Sequence, residues 1–398
     1  MKLNRTFGLL LASTAFMSIG QAALALDGND VLAKMNALTS SNGMVLSADS
    51  AEETDSDTIV LKGAVMTFTT ADNQKVPLGD ITLEGVSEDD DGGYEIEKAS
   101  FANINVMENG DGMSAEDIYI EGISVPGKPE AGTLNSVMMF SSIHVGQTKI
   151  FSQNQQVVSI DEAVANYTVA DDESKIDFDG KISGVKIDTS STPDPKAQEA
   201  IQALGLQNIN GEITMKGDWT LADGKMTLSE YAFDFENIGR LDLTFSISGY
   251  TLQFLKALQD TMKQAEANPD KQAGQQAMGL AMMGLMQQLS YNGASIRFDD
   301  AGITAKVLDY AGKQQGVDGQ QFAQSLKGML PMLLAQLNMP DLQNQIVAAA
   351  NAYLDDPKSL EVSAKPAQPL PFPQIMGAAM GNPADLVQTL NVRITANQ

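Results

Sequence analysis

Ten stretches between residues 58 and 250 alternate apolar and polar side chains with a period of two. That period suits a strand with one buried and one wet face, and it does not suit a helix. The runs are 58–69, 79–86, 94–107, 117–125, 137–151, 156–167, 175–188, 211–221, 225–235 and 240–250. Turn-forming segments lie between them: Asp89-Asp90-Asp91-Gly92-Gly93, Asn109-Gly110-Asp111-Gly112, Pro126-Gly127-Lys128-Pro129 and Asp223-Gly224. Alternation bounded by such turns predicts an antiparallel meander. A short amphipathic helix over 30–38 precedes it, with Val31, Met35 and Leu38 at helical spacing and Asp27 or Asn29 near its cap.

A phrase recurs within the runs: two apolar residues flanking a third residue, then a polar residue and glycine. It ends at Gly85, Gly122 and Gly217, with looser copies at Gly63 and Gly249. Uneven spacing of these glycines excludes a fixed-period solenoid. Two readings stay open: bulges that curve a sheet, or ordinary strand vocabulary.

Beyond Tyr250 the period changes. Helix formers at 3.6-residue spacing predict helices over 251–264, 271–289, 301–312, 319–337 and 341–354. Strands interrupt them near 294–298, 360–364 and 390–395, and these could extend the same sheet. The segment 365–373 carries four prolines and reads as an extended linker. Charge divides at the same place. Residues 26–250 hold 39 acidic and 13 basic side chains, whereas 251–398 hold 12 and 10. The expected fold is therefore α+β: a long curved antiparallel meander over 26–250, then a helix-rich region over 251–398 that adds a few strands.

Several chemistries are excluded. The chain has no Cys, so disulfides, zinc–thiolate sites and thiol catalysis are absent. Its net charge of −26 argues against nucleic acid, which needs clustered Lys and Arg. His144 is the only histidine, and alternation points it away from the apolar face beside Ile143 and Val145, as a surface or sheet-edge residue. Ser183 and Lys186 have S-x-x-K spacing, but a strand would set them on opposite faces. The acidic runs 88–91 and 171–173 leave weak calcium association open without the order of ligands of an EF-hand. Paired carboxylates for hydrolysis carry no information in so acidic a chain. No cofactor and no catalytic residue are expected.

The most unusual local feature is a methionine-rich helix. Met278, Met282, Met283 and Met286 stand among Leu280, Leu285 and Leu289, with Gly279 and Gly284 keeping it slim. Met329, Met332 and Met339 follow. Flexible thioethers cover irregular apolar surfaces, acyl chains included, or else fill a core. With Leu83, Ile120 and Met215 from the apolar face of the runs, these four methionines are the candidate ligand contacts.

The amino terminus reads as a targeting segment. Lys2 and Arg5, the apolar run 6–20 and the Ala23-Leu24-Ala25 signal predict a cleaved Sec-type signal peptide over 1–25. No later stretch is apolar and long enough to span a membrane. An exported protein is expected, most simply periplasmic, with secretion equally compatible. The targeting segment, the short helix, Thr58 to Gly63, the hairpins ending in Leu-Glu-Gly or Ile-Glu-Gly and the later helical insertion resemble the periplasmic portion of AsmA-like and YdgA-like envelope proteins. The resemblance implies a curved sheet with an apolar groove, tied to lipid handling, and no catalytic residues. Those relatives keep an N-terminal anchor. A cleaved signal here favours a carrier or accessory factor. The alternatives are an adaptor that recognises an envelope protein through its acidic surface, and a carboxylate-based hydrolase.

Overall fold

The computed structural model describes residues 26–40, 43–68, 74–130, 132–134, 139–268, 270–381 and 383–398. The targeting segment 1–25 lies outside them. With 44% strand and 33% helix the chain is α+β, and antiparallel sheet dominates it.

α1 (Gly28–Ser40) forms where the helical spacing called for it and buries Val31, Met35 and Leu38. The sheet opens with β1 (Met44–Ser47), β2 (Ser50–Asp55), β3 (Thr58–Phe68) and β4 (Gln74–Glu88). Then come β5 (Tyr94–Phe101) and β6 (Ile104–Glu108), β7 (Asp111–Ala115) and β8 (Tyr119–Val125), β9 (Ser142–Val145) and β10 (Thr148–Ser152), and β11 (Gln155–Ile160) and β12 (Glu162–Val169). The long strands β13 (Lys175–Asp188), β14 (Asn208–Thr220), β15 (Lys225–Phe235), β16 (Gly239–Ser248) and β17 (Ser290–Asp300) follow, then β18 (Ser359–Ala364), β19 (Leu370–Pro371) and β20 (Val392–Ala396). Helices fill the longer connections. α2 (Pro195–Leu204) joins β13 to β14, and α3 (Leu252–Ala267) and α4 (Lys271–Met286) join β16 to β17. α5 (Ile303–Gln314), α6 (Gly319–Leu334) and α7 (Pro340–Asp355) join β17 to β18, and α8 (Phe372–Gly381) and α9 (Pro383–Thr389) precede β20.

Among the described residues every pairing is antiparallel, and most strands pair with a chain neighbour, while the hairpins β6–β7 and β10–β11 stand off the main path. The path runs β3-β4-β5-β8-β9-β12-β13-β14-β15-β16-β17-β18-β20. The strands beyond Tyr250 extend the sheet that precedes it. The prolines of 365–373 leave one short pairing, Leu370 with Tyr291, before α8 begins at Phe372.

Three runs expected as single strands, 94–107, 137–151 and 156–167, are each broken. The breaks at 102–103, 116–118, 146–147 and Asp161 stand side by side across the sheet, bridged by Phe101 N to Ile118 O (2.9 Å), Gly146 N to Glu116 O (2.9 Å) and Asp161 N to Ser183 O (3.0 Å). In β13 the same line falls at Gly184, whose φ is +62° and whose position beside Asp161 leaves no space for a Cβ. Beyond this crease β6, β7, β10 and β11 form a wing that rejoins the sheet through β13.

The recurrent glycine phrase has a physical role here. Gly63, Gly85 and Gly122 have φ of +57°, +64° and +61°. A left-handed residue lets the alternation slip, so the flanking apolar residues three apart face the same side. Leu83 and Val86, Ala99 and Ile96, and Ile120 and Ile123 therefore feed one core, although the β4–β5–β8 register stays unbroken. At Gly63 and Gly217 the register itself shifts by a bulge, as a curving sheet would require.

That core lies under α1. Ile59, Leu61 and Leu83 are wholly buried there with Val31 and Leu38. At the opposite edge α6 and α7 stand over β18 and β20, and Leu330, Ile346 and Tyr353 line with Leu360, Val362 and Ile394 an apolar cavity of about 410 Å³. These two covers sit on the same face of the sheet.

Candidate functional site

Between the covers, among the described residues, that face over β9 and β12–β16 meets a helix at one end, where Phe254 of α3 packs beside Tyr250 and Trp219. The registers say what it displays. Ile143 pairs with Ala165, Ala163 with Ile182, Ile182 with Ile213, Met215 with Tyr231, and Phe233 with Leu241. Following these rows from β12 to β16, every side chain on this face is apolar or aromatic, or the residue is glycine. The carboxylates and lysines stand on the other face. There Arg240 pairs with Asp242 (3.0 Å) and Glu230 (3.2 Å), and Arg297 pairs with Asp299 (2.7 Å). The Thr214 hydroxyl donates to Glu230 and holds that carboxyl below its usual range, with Arg240 acting in the same direction.

Two adjoining shallow cavities mark the open face. One, about 340 Å³, lies over Ile143, Val145, Ala165, Ile182, Ile213 and Tyr231. The second, about 360 Å³, lies over Phe140, Tyr167, Phe178, Trp219 and Met226. Met215 lines both, so the two are continuous. Their size falls in the range of small-molecule sites. The face stays bare further on, where Phe245 is 40% and Ile296 51% exposed. An aromatic cluster closes one end: Trp219, Tyr250 and Phe254 stack in sequence, and Trp219 Nε1 donates to Tyr250 O at 2.8 Å. Burial pushes the phenols of Tyr250 and Tyr291 above the ordinary tyrosine range. Such a surface can hold hydrocarbon by burial alone.

The expected contacts are distributed unevenly. Met215 is at the centre of the open face. Ile120 is partly buried against the capped core and pairs with Ile143, so it marks the border between closed and open regions. Leu83 is wholly buried under α1. Met278, Met282, Met283 and Met286 lie on α4, whose packing partner is α3, at the end of the sheet rather than over its face. Ile143, Ile182, Ile213, Tyr231 and Trp219 are the lining residues missed by the sequence reading. Their parity within each run was the available signal.

His144 does point away from Ile143 and Val145, yet it is not on a sheet edge. β9 lies between β8 and β12, and the ring stacks on Tyr119 with centroids 4.4 Å apart. Its Nδ1 faces Asp117 O at 2.9 Å and its Nε2 faces Glu162 Oε1 at 3.0 Å. Ser183 donates to Glu162 O, and Lys186 to Asp161 Oδ1 at 3.4 Å. The slip at Gly184 interrupts the alternation expected to separate those two residues. The acidic turns fold on themselves: Asp89 Oδ1 accepts from the backbone of Asp91 and Gly93, and Asp172 Oδ1 from Ser174. Among the described residues no three His, Asp or Glu side chains gather as a metal site. Among them, too, no helix is long and apolar enough to cross a membrane.

A family model described as "Uncharacterized protein" matches residues 232–397. The matched stretch begins inside β15 and takes in β16 to β20. No curated protein matches the chain.

Proposed function

We propose that this is a non-enzymatic exported protein of the bacterial envelope, periplasmic in the simplest case, that holds a lipid or another apolar ligand on a curved β-meander. The carrying observation is the apolar face left uncovered between the α1 and α6–α7 covers, continuous through Met215. A monomeric soluble chain rarely leaves so long an apolar surface open without a use for it. Curvature follows from the crease and the bulges, which bend strands and raise their twist. The resemblance to AsmA-like and YdgA-like proteins points the same way.

Gly180 offers a direct test. It lines the first cavity, and an added Cβ would sit in ordinary contact, 3.5 Å from Val164 O and 3.7 Å from Met215 Cε. Gly180→Leu therefore plugs the face without breaking the sheet, and Lys216→Leu on the opposite face is the control. Native mass spectrometry of protein purified from the envelope, with titration of a fluorescent fatty acid, reads the result. Stoichiometric apolar ligand in the parent and the control, lost in Gly180→Leu, is expected. Equal binding by all three, or a clean apo mass with no fatty-acid binding, would reject the reading and favour the adaptor.

A further inference from the structure

α4 and α8 leave the sheet at the same end. β16 ends there at Ser248, β17 begins at Ser290 and β18 ends at Ala364, and Phe372 N bonds Leu289 O at 3.1 Å. This is also the end that carries Trp219, Tyr250 and Phe254. α3 lies across it, with Leu252 lining a cleft beside Glu173, Leu221 and Ala222. In a chain of net charge −26, residues 272–296 and 366–384 contain no charged side chain. Segment 251–296 as a whole balances three lysines against three acids. On α4 and α8 large apolar side chains face outward: Leu280 is 72%, Met283 57% and Met380 87% exposed, with Met278 and Met376 beside them.

We infer that this end of the protein rests on a lipid surface, with α4 and α8 dipping into the headgroup–acyl boundary and the aromatic end of the apolar face turned toward the bilayer. The inference builds on the ligand reading above and adds where the ligand enters. The charge-free stretch of α4 beyond Lys271 and the uncharged α8, with their exposed thioethers, match the apolar depth of an interface, where binding scales with the apolar area immersed. The aromatic cluster itself is inside the fold, with Trp219 7% and Phe254 4% exposed, so the immersed area is that of the helices. Residues 272–296 and 366–384 offer a protein partner no charge to pair with, which leaves immersed apolar area as the attraction, and a neutral lipid surface supplies that.

The test is flotation of the full chain with dioleoylphosphatidylcholine vesicles. Met283→Asp/Met380→Asp is the disrupting variant, and circular dichroism checks its fold. Parent and variant share residues 1–25, so any contribution from that segment cancels. The single Trp219 adds a second readout, quenching by lipid brominated along its chains. Expected are flotation and quenching for the parent, with vesicle-bound protein about tenfold lower or less for the variant. A soluble fluorescent fatty acid should bind both equally. Absent flotation of the parent, equal flotation of the variant, or flotation without quenching would overturn the inference. So would a parent dimer that the variant converts to monomer without any flotation. Each of these leaves fatty-acid binding, and its loss in Gly180→Leu, as a separate measurement of the ligand reading.

Discussion

Replacing Gly85 by Ala tests whether the left-handed slip in β4 is required by space as well as by backbone angle. Its φ is +64°, and an added Cβ would sit 2.5 Å from Glu97 Cγ and 2.7 Å from Glu97 Cβ. Gly92 has a similar φ of +72° with nothing within 4 Å. The backbone penalty for a left-handed Ala is about 1–2 kcal/mol at either site. Glu97 can swing its carboxylate away, but its Cβ is fixed to β5, so Gly85→Ala adds about 1–3 kcal/mol of overpacking. Urea unfolding followed by far-UV circular dichroism should therefore show Gly85→Ala losing about 2–5 kcal/mol against about 1–2 for Gly92→Ala. Adding Glu97→Gly should recover most of the difference, less about 0.5–1 kcal/mol for the new glycine's backbone freedom. Equal midpoints for the two single variants would refute the reasoning, because the close approach to Glu97 would then cost nothing.

The capped and open parts of one face should respond oppositely to truncation. Leu83→Ala, in the closed core, should cost about 2–5 kcal/mol in the same assay. Ile296→Ser, half exposed on the bare face, should cost under about 1 kcal/mol yet weaken fatty-acid binding. Asp30 carries a pH signature. Its carboxyl accepts from Lys34 and from the Tyr94 hydroxyl (2.8 Å), and these bonds, Lys34 first, hold its pKa below the ordinary value. A depressed carboxyl contributes stability above the unfolded-state pKa and loses it as pH falls through the folded one. Asp30→Asn should thus be less stable than the parent at pH 7, with the gap closing toward pH 3. A gap that stays constant with pH would mean that the charge is irrelevant.

The sheet was legible wherever alternation ran unbroken. Runs 175–188 and 225–235 are strands with those bounds, though β13 slips at Gly184, and the five helices expected beyond Tyr250 fall close to their places, whereas α8 and α9 were not expected. The crease was not legible. At 102–103, 116–118 and 146–147 the interruption is a matter of neighbouring strands breaking together, and a single strand's pattern does not contain its neighbours. α2 was overlooked although its signals are explicit: Asp194 caps the Lys196 amide, Pro195 opens the helix, and Gly205 ends it in the left-handed conformation. Ten residues between two long strands were simply too short to stand out. At the candidate site, Met215 emerged from its run because apolar parity is a local property. Ile143 and Ile213 have the same parity in their runs, but only the register shows that Ile143 shares a row with Met215 and Ile213 one with Val145. The α4 methionines were visible as a composition, but their place at the end of the sheet depends on the loop geometry between β16 and β17.

Because consecutive strands pair from β12 to β18, this part of the molecule is assembled by accretion, one hairpin after another. Each further hairpin inserted anywhere between β9 and β17 would widen the open face by two inter-strand spacings, about 9.6 Å, without altering any existing pairing partner beyond its immediate neighbours. The capacity of the face is thus an extensive property of chain length, while the covers at its two edges are fixed costs that do not scale. A chain built this way can be lengthened or shortened to fit a longer or shorter hydrocarbon, and the same accretion keeps contacts local enough for folding to advance along the sheet from its capped beginning.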